Sequence, residues 1–147
     1  MISYVMSMRV VLDTSVLVAA LRSKRGASNR LLVLVAHTEL RPLVSTALFL
    51  EYEDVLMRPE TRLATKMDAA DVQGFLATLA SAAEAVDVNF RWRPQLTDPK
   101  DELVLEAAVN GSADALVTHN ARDFRTAAPR FGLRVLLPRE LLKELEP

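Results

Sequence analysis

Short apolar runs alternate along the chain with longer segments whose apolar positions recur at helical spacing. At the start, Arg9 to Leu12 is a β-branched run that predicts a strand, and Val16 to Leu21 continues as a helix. Strands that are apolar throughout and separated by helices are typical of a parallel sheet covered on both faces. The pattern therefore predicts an α/β fold, a three-layer α/β/α sandwich with a central, mostly parallel sheet.

The remaining elements follow from the same pattern. Further strands are predicted at Pro42 to Ser45, Val86 to Val88, Ala115 to Thr118 and Leu133 to Leu137. Helices are predicted at Asn29 to Ala36, Thr46 to Arg58, Asp68 to Ala83, Pro99 to Asn110, Asn120 to Phe124 and Pro138 to Leu145. Pro59 is expected to end one helix and Gly111 to close another. We expect one domain over residues 8–147 and an N-terminal extension over residues 1–7.

Composition narrows the class of protein. The chain has 147 residues, of which 50% are hydrophobic and 25% charged, as expected for one globular domain with its own core. The absence of cysteine excludes disulfides, thiolate metal sites and a cysteine nucleophile, and it agrees with a cytoplasmic location. Because no segment approaches the roughly 20 unbroken apolar residues that span a bilayer, no membrane association is expected.

The charge balance gives little support to broad nucleic-acid binding. A net charge of −1 means that any contact with phosphates must come from local clusters of Lys and Arg. Three such clusters are Arg22, Lys24, Arg25 and Arg30, then Arg62 and Lys66, then Arg91, Trp92 and Arg93. The first cluster follows the first strand, so Arg22, Lys24 and Arg25 are the preferred substrate-binding candidates. An ordinary solvated surface is the alternative for each cluster, and Trp92 offers either base stacking or packing.

Asp13 is the leading candidate for chemistry. It stands where the first apolar strand gives way to a helix, at the edge of a parallel sheet where ligands bind. Aspartate is also a common helix N-cap, so a purely structural role is the alternative.

Three further places carry acidic side chains that could join Asp13. Asp101 shares a helix face with apolar Val104 and Leu105, although Asp98 as an N-cap and Asp101 as a first-turn acid would explain both without chemistry. Glu51 flanks the apolar stripe of its helix, but Glu53 flanks the same stripe, and periodicity does not separate them. Asn120 and Asp123 follow a later strand, where helix capping also accounts for both.

Three or four carboxylates at one edge of a sheet would repel one another unless a cation neutralised them. Oxygen ligands with no cysteine and little histidine favour Mg²⁺ or Mn²⁺ over Zn²⁺. Such ions orient phosphodiesters and activate water without a protein nucleophile. The acidic residues therefore indicate metal-dependent phosphoryl chemistry.

Several stretches resemble the PIN-domain family, and in particular its bacterial VapC-like toxins. The similar stretches are Val10 to Val18, Leu48 to Pro59 with Glu51, Asp98-Pro99-Lys100-Asp101 continuing to Thr118, and Asn120-Ala121-Arg122-Asp123-Phe124. They occur in the family's order and cover Met8 to about Leu142. The resemblance selects Glu51 over Glu53.

The resemblance implies a metal-dependent ribonuclease that cleaves single-stranded or structured RNA with Mg²⁺ or Mn²⁺. It implies Asp13, Glu51 and Asp101 as catalytic metal ligands, with Asp98 and Asp123 as supporting acids near the metal and the reaction. Four further residues would orient the carboxylates or a water molecule: Thr14, Ser15, Thr118 and Asn120. The resemblance also implies a small antitoxin partner and frequent homodimers.

One departure keeps a second interpretation open. Many relatives carry aspartate where this chain has Asn120, so either Asp123 supplies the fourth acid or three carboxylates remain. The alternative is a catalytically silent PIN module that binds RNA or a protein partner.

Overall fold

The computed structural model describes residues 7–147, so most of the predicted N-terminal extension lies outside the described residues. The strands are β1 (Met8–Leu12), β2 (Leu40–Val44), β3 (Glu84–Ala85), β4 (Ala115–Val117) and β5 (Val135–Leu136). The helices are α1 (Thr14–Arg22), α2 (Ala27–Ala36), α3 (Thr46–Leu56), α4 (Pro59–Thr65), α5 (Ala69–Ala82), α6 (Pro99–Asn110), α7 (Ala121–Phe124) and α8 (Pro138–Leu145), with a 3-10 turn at Ala128–Phe131.

The five strands form one sheet in the order β3-β2-β1-β4-β5, and every pair is parallel. From β1 the chain moves to β2 and β3 on one side, and then crosses back through α6 to β4 and β5 on the other. Because such crossovers are right-handed, the two directions place helices on opposite faces of the sheet. The predicted three-layer α/β/α sandwich with a parallel sheet is confirmed.

The site lies where the order of strand addition reverses: the chain adds β2 and β3 on one side of β1, and then β4 on the other. Strands β1 and β4 are neighbours, with Leu12 opposite Val117 at their carboxyl ends. The carboxyl edge beside such a reversal is where open α/β sheets bind ligands. Fully buried apolar residues of both strands fix this edge, and the Tyr52 hydroxyl, from α3, donates a hydrogen bond to the Leu12 carbonyl.

Two predicted elements differ from the observed ones. The strand predicted at Val86 to Val88 is wrong, because β3 pairs with β2 at Glu84 and Ala85 and β2 ends at Val44, where Ser45 caps α3. Helix α4 was not predicted. Pro59 ends the preceding helix as expected, but it then occupies the first turn of α4, where its missing N–H costs nothing.

Gly111 ends α6 as predicted, but not through the left-handed conformation that usually favours glycine there. Its φ is −86°, and the left-handed residue is Ser112, with φ 51°. A Cβ on Gly111 would lie 2.9 Å from a Val86 methyl group and 3.0 Å from a Leu43 methyl group of β2, and also 2.9 Å from the Ala107 carbonyl oxygen of its own helix. The requirement for glycine is therefore the close approach of α6 to the sheet.

Two buried glutamates of α6 hold the segment that leads into it. Glu102 Oε1 accepts hydrogen bonds from the backbone N–H groups of Gln95 (2.6 Å) and Leu96 (2.8 Å). Glu106 forms a two-point ion pair with Arg93. These contacts fix the path of the chain just before Asp98, and so they position the acidic end of α6.

None of the helices within residues 7–147 combines the length and the apolar character needed to cross a bilayer.

Candidate active site

Asp13 is held rigidly at the end of β1. Its backbone N–H donates to the Val117 carbonyl (2.8 Å), which extends the β1–β4 pairing by one residue. Its side-chain Oδ2 accepts hydrogen bonds from Ser15 Oγ (2.8 Å) and Thr118 Oγ1 (2.7 Å). Asp13 occupies the N-cap position of α1, but its side chain makes no capping hydrogen bond. The carboxylate is therefore oriented across the sheet edge, and the simple capping explanation does not apply.

The groups that orient Asp13 are themselves held in place. Thr118 is fully buried, and its hydroxyl oxygen also accepts the backbone N–H of Asn120 (2.9 Å). Ser15 Oγ accepts the backbone N–H of His119 (3.3 Å). A continuous hydrogen-bond chain thus links the start of α1 to the turn after β4, and one carboxylate oxygen lies at its centre. Asp13 Oδ1 receives no hydrogen bond from residues 7–147, and it is not a buried unsatisfied atom.

Asp101 lies in the first turn of α6, on the same face as the buried Val104 and Leu105. Its carboxyl group is half-buried. Burial, followed by the negative charges of Asp13, Asp98, Asp123 and Glu102, raises the pKa of Asp101 to about 6. The acids that act on this carboxyl group therefore come from the end of β1 (Asp13), from the start of α6 (Asp98) and from α7 (Asp123).

Glu51 of α3 is half-buried in a groove that it shares with Thr14, Ser15 and Lys100. Burial raises the pKa of Glu51, the Lys100 charge opposes this rise, and Asp54 and Asp98 add to it. The Lys100 Nζ lies 3.9 Å from Glu51 Oε1.

Glu53, which periodicity could not separate from Glu51, is directed elsewhere. Its Oε2 accepts a hydrogen bond from the Gln73 side chain of α5 (3.2 Å). The neighbouring Asp54 pairs with Arg58 (2.8 Å). Of these three acids of α3, Glu51 alone lines the groove that contains Thr14 and Ser15.

The remaining predicted acids are more exposed. Asp98 caps α6 by accepting the Lys100 N–H (2.9 Å), as the structural alternative predicted, and its charge also acts on Glu51 and Asp101. Asp123 is exposed in α7, and it contributes to the raised pKa of Asp101. Asn120 is exposed, and its side chain makes no capping hydrogen bond.

A divalent cation suits this donor set by chemistry and by charge. The acids supply only oxygen ligands, and repulsion among them raises the pKa of Asp101, which is the strain that a cation would relieve. As the side chains stand, no three acidic or histidine residues within 7–147 are close enough together to hold a metal ion. Binding would therefore require side-chain adjustment, for which the exposed Asp98 and Asp123 have room.

The predicted basic rim is only partly at the site. Arg22 lines the groove above Glu51 and a neighbouring cavity, whereas Lys24 and Arg25 are exposed on the following turn and line neither. Arg30 is paired with Glu146 through two hydrogen bonds of 2.8 and 2.7 Å. Arg22 is thus the member of this cluster that shares the groove with Glu51.

The aromatic part of the third basic cluster is a packed surface. Trp92 stacks on Phe90 (5.6 Å between ring centroids) and packs against Phe131 (5.3 Å). Arg93 forms an ion pair with Glu106. These contacts favour the packing interpretation of the Arg91-Trp92-Arg93 triplet.

Sequence reasoning gave no role to His119, Lys100 or Arg58, all of which line the groove that contains Glu51. Lys100 lies between Asp98 and Asp101, and His119 directly follows Thr118, so the sequence places both residues beside predicted site residues. It does not predict where their side chains point, because that depends on how α6 and β4 pack against α1 and α3.

The protein thus has an α/β fold, and its carboxylates lie at the carboxyl edge of the parallel sheet, close to the neighbouring strands β1 and β4. The chain belongs to the PIN-domain family, whose model matches residues 9–122. The match includes Asp13, Glu51, Asp98, Asp101 and Asn120, and it stops one residue before Asp123. A comparison with curated proteins gives no match.

A solved structure shares the fold. It is described as the crystal structure of VapBC2 from Rickettsia felis bound to a DNA fragment from their promoter. One of its chains aligns with a TM-score of 0.58 and 18% identity over 88% of this chain and 98% of that one. At this identity the likeness concerns the fold.

Proposed function

We propose that this protein is a Mg²⁺- or Mn²⁺-dependent endoribonuclease that hydrolyses RNA phosphodiester bonds. The observation that carries the proposal is the half-buried Asp101, whose pKa is raised by burial and by the negative charges of Asp13, Asp98 and Asp123. Membership of the PIN-domain family supports it. The metal ligands in this proposal are Asp13, Glu51 and Asp101, with Asp98 and Asp123 as supporting acids.

When bound, the cation supplies Lewis-acid activation of water and of the phosphodiester. Ser15 and Thr118 fix the orientation of the Asp13 carboxylate through Oδ2, which leaves Oδ1 free to act as a ligand. Asn120 keeps Thr118 in place through its backbone N–H. Lys100 and Arg22, which line the same groove, would bind the phosphates on either side of the cleaved bond.

We further propose that the protein is the toxin of a toxin–antitoxin pair that acts in the cytoplasm, restrained by a small antitoxin, and able to form a homodimer. The VapC-like sequence motifs and the fold shared with a chain of VapBC2 support this. The test is inducible expression in a bacterial host. Growth arrest that Asp13→Asn relieves, and that co-expression of a short neighbouring gene also relieves, is the expected result.

The decisive biochemical test compares Asp13→Asn with Asp87→Asn. Both changes remove one carboxylate charge, but Asp87 is exposed and lies outside the groove. Labelled RNA should be cleaved by the unchanged protein in Mg²⁺ or Mn²⁺ and not in EDTA. Asp13→Asn should lower the rate at least 100-fold while the circular dichroism spectrum is unchanged, and Asp87→Asn should have no effect. Cleavage that persists in EDTA would refute the proposal.

The second candidate is a catalytically silent module that binds RNA or protein. Asn120 in place of an acid favours it, as does the lack of three acids at coordinating distance within the described chain. This candidate predicts RNA binding without cleavage in any divalent cation, and unchanged binding in Asp13→Asn.

A further inference from the structure

A cavity of about 460 Å³ lies next to the groove that contains Glu51, and the two share Ala19, Arg22 and His119. Its walls are the end of α1, the turn into α2, and the start of α8. Half of the ten lining residues are glycine or apolar: Ala19, Gly26, Ala27, Leu137 and Pro138. The volume is within the usual range for sites that bind small organic groups.

His119 stands at the boundary between this cavity and the groove that contains Glu51, and it lines both. Its ring Nε2 is 2.9 Å from the hydroxyl of Ser28, which is 3% exposed. Its backbone N–H is held by Ser15, the same residue that orients Asp13. The exposed imidazole is therefore held by Ser28 through Nε2, and the backbone of His119 is linked through Ser15 to Asp13.

The mouth of the cavity is basic. Arg22 lines both the cavity and the groove, and Arg139 lines the cavity from α8. Lys24 and Arg25 are exposed on the adjoining turn. Across residues 7–147, none of these four side chains forms an ion pair with a carboxylate. An apolar cavity with free cations at its rim and a planar ring beside it complements a nucleotide, which joins an aromatic base to a negative phosphate.

We infer that this cavity, the base cavity, receives one unpaired base of the RNA, from the nucleotide beside the cleaved bond. The inference rests on the proposed nuclease function, because it takes the groove that contains Glu51 as the place where RNA is cleaved. In this arrangement His119 and the guanidinium of Arg139 flank the base, and Arg22 binds the phosphate that connects it to the groove. The base cavity would then determine which nucleotide is accepted next to the cut.

NMR of the two histidines of the full-length protein tests the inference directly. His119 borders the cavity, whereas His37 caps the opposite end of α2 and serves as an internal reference. The probes are the four nucleoside 5′-monophosphates and ribose 5-phosphate, added in EDTA. At least one mononucleotide should shift the His119 ring signals saturably and leave His37 unchanged. Ribose 5-phosphate should bind about tenfold more weakly.

Two pairs of variants localise the binding. Ala27→Phe fills the base cavity and should abolish the shift, while Ala64→Phe, at an exposed position of α4, should not. Arg139→Gln should weaken binding about fivefold, and Arg125→Gln, exposed at the end of α7, should leave it unchanged. The arginine pair keeps the test informative if Ala27→Phe does not fold. Equal binding of ribose 5-phosphate and all mononucleotides would overturn the inference, since only a phosphate would then be recognised.

The outcomes separate this inference from the nuclease proposal. Shifts at His119 without RNA cleavage in any divalent cation would support nucleotide binding in the base cavity, but would refute the nuclease and, with it, the placement of the base beside a cut. Cleavage that depends on Asp13, combined with His119 signals that no mononucleotide moves, would overturn the base cavity and leave the nuclease intact. If both are correct, Ala27→Phe should also alter the base preference beside the cut.

Discussion

The hydroxyl of Thr118 donates a 2.7 Å hydrogen bond to Asp13, which is 105 residues away in the sequence. Neither residue is free to turn, because Thr118 is fully buried and Asp13 is also held by Ser15. One oxygen of the carboxylate is therefore fixed by the protein, and the other receives no hydrogen bond from residues 7–147. This preorganisation is what a metal ligand needs from its surroundings.

Thr118→Val tests that relationship without changing the volume of the side chain. It removes the hydrogen bond to Asp13 Oδ2 and the acceptor for the Asn120 N–H. Since hydrogen bonds to charged groups contribute about 1.5–3 kcal/mol, we expect urea unfolding to show a loss of about 2 kcal/mol. The rate of RNA cleavage should fall about tenfold. Thr126→Val, at an exposed position, is the control and should change neither. A stable and fully active Thr118→Val would show that Asp13 needs no such support.

The two glutamates that flank the stripe of α3 provide a matched comparison. Glu51 lines the groove, whereas Glu53 bonds to Gln73. Glu51→Gln should reduce the rate of metal-dependent cleavage at least 100-fold, because it removes a proposed metal ligand. Glu53→Gln should retain activity within about twofold. An equal loss of rate in the two variants would show that Glu51 contributes no more to cleavage than Glu53 does.

The case of Glu51 also shows where sequence reasoning stops. Local patterns predicted the parallel sheet, the ends of α5 and α8, and the placement of Asp13 and Asp101 at one edge, since these depend on periodicity and strand direction. Periodicity could not separate Glu51 from Glu53, because the choice depends on how α3 packs against α1 and α6. The position of the His119 ring could not be predicted either, since it depends on contact with Ser28 of α2.

The raised pKa of Asp101 predicts how the metal-free protein responds to pH. Its folded pKa of about 6 exceeds the ordinary value of 3.8, so the folded state binds the proton more tightly than the unfolded state. The stability of the protein in EDTA should therefore fall as the pH rises from about 4 to about 6. Asp101→Asn should remove this dependence and stabilise the metal-free protein at pH 7.5 by about 1 kcal/mol, after allowance for solvent screening.

Urea denaturation in EDTA at pH 5 and pH 7.5 measures both effects. At pH 5 the unchanged protein is mostly protonated at Asp101, so the difference from Asp101→Asn should shrink. Added Mg²⁺ at pH 7.5 should stabilise the unchanged protein and have little effect on Asp101→Asn. An Asp101→Asn protein that is less stable than the unchanged one at pH 7.5 would contradict the repulsion inferred at this site.

Glu102 links the loop before α6 to the site, because its buried carboxylate accepts the N–H groups of Gln95 and Leu96. Glu102→Ala leaves both donors without their partner, at an expected cost of about 2–3 kcal/mol in the free energy of unfolding. The loop that ends at Asp98 should become mobile, and limited proteolysis between Phe90 and Thr97 should accelerate. Cleavage of RNA should slow even in protein that remains folded, because Asp98 and Asp101 lose their fixed position relative to Asp13.

Glu102→Gln keeps one acceptor oxygen and should restore most of the stability and rate. Glu140→Ala is the control, because Glu140 of α8 also accepts a backbone N–H, from Leu137 at 2.8 Å, but bonds to no residue of this loop. If it accelerates proteolysis of the same loop equally, the effect does not come from Glu102.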